Sequence, residues 1–471
     1  MNPEKIRNFV ETTWNQSIIP TLCQYIEIPC KSPAFDPNWQ ENGHIAKAIE
    51  LVSAWCQGQD IRGMQLKIHQ LPGRTPLLLL DIPGQLAETV VLYGHIDKQP
   101  EMTGWHEGLG PWKSVIKEDR LYGRGGGDDG YAVFSSLTAI KALQEQNIPH
   151  ARCLVLIEAC EESGSFDLPY YIDHLKDEIV EPSLVIGLDS GCGNYEQLWC
   201  TTSLRGLILG MLRVEVLEEG VHSGAAGGVV PSSFRIIRQL LSRIEDENTG
   251  QLLLDDLQVP IPEVRKDEAK QVAKILAERV WTDYPWVEGG RPLDVPVEQL
   301  VLTRTWQSSL SITGVEGIPK IEDAGNVLRP KTSFMLSLRI PPNCDPVRAA
   351  DSLKKVLEEN PPHGAKISFE VKQATAGWNA PETAAWLTKA IHTASMTYFD
   401  QPSVYWGEGG TIPFIYMLGN KFPNTQFVIT GVLGPGSNAH GPNEFLDIPM
   451  AKKLTCCVAE LLYAHAQQCG T

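Results

Sequence analysis

Histidines and carboxylates recur just after apolar, strand-like runs in this chain. They are His95 in YGHID, Asp128 in GRGGGDDG, Glu161 and Glu162 in EACEESGS, Asp189 in GLDSG, and His440 in GSNAHGPNE. The set has too few histidines for a histidine-only metal site and too many carboxylates for a hydrolase without a cofactor. It reads as a mixed histidine/carboxylate cage for two divalent ions, a donor set that suits zinc and also admits manganese or cobalt. Adjacent Glu161 and Glu162 at the end of a buried strand would repel each other in an apolar setting. A division of labour resolves this, with one glutamate ligating a cation and the other staying free as a base. Asp97 lies two residues beyond His95 and shares its face of the strand, where its carboxylate can hold the second ring nitrogen. Asp129 is read as a helix N-cap.

These groups need a scaffold that gathers strand ends. Residues 88–96, ARCLVLIEA, PSLVIGLD and QFVITGV read as short buried strands. They alternate with helical patterns at 43–57, 131–145 and 382–398 and a last helix from Ala451. Continuous apolar strands alternating with helices predict an α/β fold with a mixed, mostly parallel sheet covered by helices on both faces. Ligands then bind beyond the carboxyl ends of the strands. The middle of the chain differs. Strand patterns at Leu207–Leu217, Lys331–Ile340 and Ala365–Val371, with helices at Ser232–Ile244 and Pro346–Glu359, predict a small α+β, split βαβ domain. Proline-rich residues 250–305 read as an insertion in it, with a helix near 267–280. The expected division is a discontinuous catalytic domain, 1–203 and 382–471, interrupted by a second domain over 204–381.

Composition narrows the function classes. At 471 residues the chain exceeds one compact domain. Its 57 acids against 40 bases give a net charge of −17, which argues against nucleic acid as a partner. The N-terminus lacks the apolar core of a signal peptide, and no apolar run is long enough for a bilayer, so no membrane association is expected. Eleven cysteines without a C-x-x-C pair suit a reducing cytoplasm rather than a disulfide framework.

The motifs YGHID, GRGGGDDG, EACEESGS, GLDSG, HSGAAGG and NAHGPNE, in this order, resemble the M20 family of metallopeptidases, nearest its dipeptidase/carnosinase-like branch. The resemblance implies a zinc-exopeptidase-like catalytic domain and a ferredoxin-like lid that also dimerises. It implies that Asp128 bridges two zinc ions, with His95 and Asp189 completing one site and Glu162 and His440 the other. Glu161 is then the general base on a water between the metals, and Asp97 supports His95. His222, in VHSGAAGG, resembles a histidine that reaches from one subunit into its partner's active site to hold the oxyanion. Arg339, Asn326 and the loop residues Glu408, Gly409, Gly410 and Thr411 resemble contacts to a substrate carboxylate. Many members carry arginine immediately before E-G-G; here the residue is Gly407, which implies that one carboxylate anchor is missing or moved. The expected activity is hydrolysis of amide bonds in dipeptides or small peptides by a cytoplasmic homodimer. The competing expectations are an N-acyl-amino-acid deacylase or desuccinylase on the same scaffold, and a non-catalytic metal-binding relative.

Overall fold

The computed structural model describes residues 1–470. Contacts divide the chain into two units. The first comprises 1–202, 380–406 and 412–471, and the second 203–379 and 407–411. The short segment 407–411 thus joins the second unit, whereas the sequence reading placed it in the first. The cause is local: Arg205 and Arg339 hydrogen-bond to Gly409 and Thr411.

The first unit is built on a mixed sheet. In spatial order its strands are Gln65–His69, Leu77–Ile82, Ala151–Glu158, Leu86–His95, Leu184–Gly187, Gln426–Ile429 and Trp199–Leu204. The four central strands, 151–158, 86–95, 184–187 and 426–429, run parallel. Their near-continuous burial is that of a sheet covered on both faces. Side-chain alternation along Leu86–His95 shows both covers. Tyr93 stacks on Phe414 of the helix Pro413–Lys421, with ring centroids 3.6 Å apart. Gly94, pointing the other way, faces Ala132 of the helix Tyr131–Glu145. That helix packs with Ala385–Phe399 and Ile448–Cys469 in one layer. One buried polar chain runs through the layer: Trp14 Nε1 donates to Thr455 Oγ1 at 3.1 Å, and Thr455 Oγ1 meets Ser135 Oγ at 2.9 Å.

The second unit carries four antiparallel strands in the spatial order Ser309–Glu316, Lys331–Ile340, Gly206–Glu215, Lys366–Thr375. With helices Ser233–Leu241 and Pro346–Glu358, this is the split βαβ arrangement. Strict alternation of buried and half-buried residues along Gly206–Glu215 marks a sheet packed on one face. Ile208, Leu212, Leu336, Leu338 and Phe369 meet Ile236, Leu240, Leu353 and Leu357 in its core. The edge strand Ser309–Glu316 had no apolar pattern of its own, because Ile312 and Val315 are exposed. A two-stranded ribbon pairs Val221–His222 with Val327–Leu328. Among the described residues no helix is long and apolar enough to cross a membrane.

Gly94 is the tightest point where helix and sheet meet near the strand ends. A Cβ there would stand 2.4 Å from Ala132 Cβ and 2.5 Å from Asp129 Oδ2. Gly94→Ala is expected to destabilise the protein by about 1–3 kcal/mol through overpacking, read as a lowered urea midpoint. An unchanged midpoint would mean that the helix yields freely.

Candidate metal centre

The four central strands end together, and their loops, with the turn before Tyr131–Glu145, bring together six of the residues singled out in the sequence. His95 ends Leu86–His95, and Glu161 and Glu162 lie in a single turn just after Ala151–Glu158. Asp189 follows Leu184–Gly187, and His440 lies beyond Gln426–Ile429. Asp128 sits in the glycine-rich turn before Tyr131–Glu145, joined to Asp129 by a cis peptide.

Distances define the cluster. His95 Nε2 lies 3.3 Å from Asp128 Oδ1 and 3.8 Å from Asp189 Oδ1. His440 Nε2 lies 3.2 Å from both Asp128 Oδ2 and Glu162 Oε2. Asp128 therefore stands between the two imidazoles, one on each carboxylate oxygen. His95, Glu161 and Asp189 offer ligand atoms within 4.8 Å of one another, and so do His95, Asp128 and Glu162. Glu161 is thus also at ligand distance, and distance alone does not separate a base from a ligand here.

The electrostatics call for cations. Burial, then the neighbouring charge of Asp189, pushes Glu161 well above the usual carboxylate range. Burial and then Asp128 raise Glu162. Burial would raise Asp128 too, but its hydrogen bonds to His440 and His95 outweigh that and hold it low. Burial opposes charge on His95, yet Asp189 and Asp128 drive it well above its ordinary value. Carboxylates this close share a site only with positive charge between them. Glu162 Oε1 is buried and has no donor among the described residues. Imidazole and carboxylate donors, converging with unsatisfied oxygen, fit divalent metal ions.

The supporting contacts differ from expectation in two ways. The closest partner of His95 Nδ1 is the main-chain oxygen of Asp97 at 3.0 Å; the Asp97 carboxylate lies at 3.6 Å. That carboxylate instead accepts from Glu161 N at 3.1 Å and Glu162 N at 3.0 Å, so it aims the glutamate pair. Asp129 is not a helix cap, since the helix at Tyr131 has no side-chain cap. Asp129 turns inward over Gly94, where its Oδ2 accepts His95 N at 3.3 Å.

Sequence reading missed Gln99, whose Nε2 donates to Glu162 Oε2 at 2.6 Å. It also missed Arg124, which pairs with Glu444 at 2.5 Å and donates to Gly441 O at 2.8 Å. Glu444 also accepts Gly125 N at 2.8 Å. Both partners are fully buried, so the pair pins the Asp128 turn to the His440 loop. A lone arginine inside a glycine run was the available signal.

The remaining expected residues belong to the second unit. His222 is exposed, and its Nδ1 accepts Gly224 N at 3.1 Å and Ala225 N at 3.3 Å, so Nε2 carries the proton. Asn326 is joined to the same ribbon, its oxygen accepting Ser223 N at 2.9 Å. Arg339 Nη1 donates to Thr411 Oγ1 at 3.2 Å. Glu408 ends the strand Val404–Glu408; Gly409 O accepts Arg205 Nε at 3.4 Å, and Gly410 faces open space.

The model of peptidase family M20/M25/M40 matches residues 91–464. A cysteinylglycine-S-conjugate dipeptidase of Corynebacterium striatum is 26% identical over 386 residues, 81% of this chain and 82% of its own. A Cys-Gly metallodipeptidase of Saccharomyces cerevisiae is 28% identical over 421 residues, 83% of each chain. The crystal structure of human carnosine dipeptidase 1 shares the fold, with a TM-score of 0.78 at 20% identity over 99% of both chains.

Removing Arg124 would leave Glu444 buried without its cation. Arg124→Met is expected to lower stability by about 3–5 kcal/mol, and Arg124→Met/Glu444→Met to recover part of that in urea unfolding. Wild-type stability in the single variant would show that the pair does not hold the two loops.

Proposed function

The chain belongs to peptidase family M20/M25/M40, in its dipeptidase branch, and on that premise we propose that it hydrolyses dipeptides with two divalent ions and Glu161 as general base. The observation that carries this reading is the cluster of four carboxylates and two imidazoles, His440 its exposed member, beside the ends of parallel strands. Asp128 would lie between the ions. His95 and Asp189 would complete one site, and Glu162 and His440 the other. When bound, two such ions supply Lewis acidity to an attacking water and to the scissile carbonyl.

The chain's own groups do the rest. Asp97 holds the main-chain N–H groups of Glu161 and Glu162 and so fixes both side chains' origin. Glu161 takes the proton from the attacking water and passes it to the leaving amine nitrogen. Arg339 and Thr411, with Glu408, Gly409 and Gly410 about them, are proposed to hold the substrate carboxylate, and Asn326 would join them only from a second chain, beside His222.

The second unit supports a working pair of subunits. His222 and Asn326 flank the Lys331 end of Lys331–Ile340, whereas Arg339 and Thr411 mark its other end. Eight residues of strand separate them by about 26 Å. One dipeptide cannot span that distance, so both sets serve one substrate only if they come from different chains. The partner subunit's His222 would then donate from Nε2 to the oxyanion. The ribbon and its flanks expose Val229, Ile321 and Val327, and the sheet edge exposes Ile312 and Val315, as expected of a surface that meets a second copy.

Glu161→Gln is expected to lower dipeptide turnover by about 10²–10⁴-fold while elemental analysis still finds two metals per chain. Wild-type turnover would remove Glu161 from the role of base. Mixing inactive His222→Ala with inactive Glu161→Gln subunits is expected to restore part of the activity. No recovery, with subunit exchange confirmed, would count against the cross-subunit role. Dipeptides are expected to be cleaved faster than N-acyl-amino acids, and the reverse order would favour a deacylase.

A further inference from the structure

The turn Glu161–Ser163 has only three residues, yet it carries two acidic side chains that repel each other. Its own bonds are local: Ser163 N donates to Cys160 O at 3.3 Å and Gly164 N to Glu161 O at 2.6 Å. Two further holds come from outside. At the start of the turn, the Asp97 carboxylate accepts Glu161 N and Glu162 N. At its end, Ser163 Oγ accepts Ala34 N at 2.9 Å and hydrogen-bonds with Ser32 Oγ. Ser32 is fully buried.

Both holds trace to one place in the chain. Residues 30–32 lie along Lys98, the neighbour of Asp97. Lys98 N donates to Cys30 O at 3.0 Å, and Ser32 N donates to Lys98 O at 2.9 Å. The Lys98 side chain is fully buried, and its Nζ donates to Tyr25 O at 2.7 Å, Ile26 O at 3.3 Å and Ile28 O at 2.9 Å. Tyr25 and Ile26 end the helix Ile19–Ile26, where carbonyls lack helical partners and a cation is favoured. Lys98 thus fixes where that helix stops and where the chain runs on towards Ser32. A Cβ on Gly125 would stand 2.5 Å from Lys98 Cε, so the same stem borders the start of the turn that carries Asp128.

Ser32 and Ser163 are neutral, so their tie adds no charge to a centre already crowded with carboxylates. It also takes up no carboxylate oxygen of Glu161 or Glu162.

We propose that Ser163 is a positioning residue for Glu161 and Glu162. Its hydroxyl ties the turn to residues 32–34 and so sets where the base and the metal ligand stand. This rests on the roles proposed above for the two glutamates.

In Ser163→Ala the turn keeps the hold from Asp97 and loses the other. With Ala-Ala and the zinc-loaded enzyme, kcat is expected to fall about tenfold while KM stays within about twofold, because small displacements of a reacting group are costly. Calorimetric titration of zinc into the chelator-stripped variant is expected to show one ion bound about tenfold more weakly and the other as in the wild type. Ser163→Thr, which retains the hydroxyl, is expected to restore most of both. Ser32→Ala/Ser163→Ala is expected to lose no more than Ser163→Ala alone, since the two hydroxyls act through one tie. Wild-type kcat with wild-type affinity for both ions in Ser163→Ala would overturn the proposal. Equal weakening of both ions with a lowered urea midpoint would also overturn it, since Ser163 would then serve folding only. If the wild type cleaves no dipeptide, the dipeptidase reading fails, and the zinc titration still decides whether Ser163 positions Glu162.

Discussion

Crowded negative charge is the constraint on which the first unit depends. Asp128, Glu161, Glu162 and Asp189 converge at the ends of parallel strands, with Asp97 and Asp129 directly behind them. Such a group is unstable unless cations enter it. The protein holds the carboxylates in place against their repulsion with neutral donors and one buried ion pair. Asp97 accepts two main-chain N–H groups, Glu162 is held by Gln99, and Arg124–Glu444 ties together two loops that carry candidate ligands. Each support is itself buried, so the centre is rigid where its charges would otherwise push it apart.

The second unit poses the opposite problem, because cations accumulate there. Among the described residues no carboxylate pairs with Arg205 or Arg339, and the insertion helix Val297–Thr305 fills the space beside Gly407. On the proposed reading, the carboxylate-rich site would take metal ions, and the site that carries Arg339 would take the substrate's anionic end. The same electrostatic logic thus assigns complementary tasks to the two units. The long strand Lys331–Ile340 keeps His222 away from Arg339, and on the proposed reading His222 would serve the site of a second subunit.

Much of this was legible from residue order alone. His95, Asp128, the glutamate pair, Asp189 and His440 each follow an apolar run, and parallel strands place such positions at one sheet edge. The split βαβ order was visible because Gly206–Glu215 alternates along its whole length and Lys331–Ile340 from Phe334 onward. The edge strand Ser309–Glu316 was not visible, since two of its three apolar residues, Ile312 and Val315, are exposed. Contacts that depend on three-dimensional turns were also hidden. Asp129 resembled a helix cap but turns inward where Gly94 leaves space. Asp97 was expected to hold an imidazole, yet its carboxylate holds the backbone of the glutamates. The reason for glycine at 407 lay 102 residues earlier, in Thr305.

The most direct measurement is a calorimetric titration of divalent zinc into chelator-stripped protein, paired with thermal unfolding of the stripped and reloaded forms. A cluster that needs cations to offset its carboxylates predicts two ions bound per chain and a higher unfolding temperature with each. Binding of fewer than two ions, or an unfolding temperature indifferent to them, would contradict it.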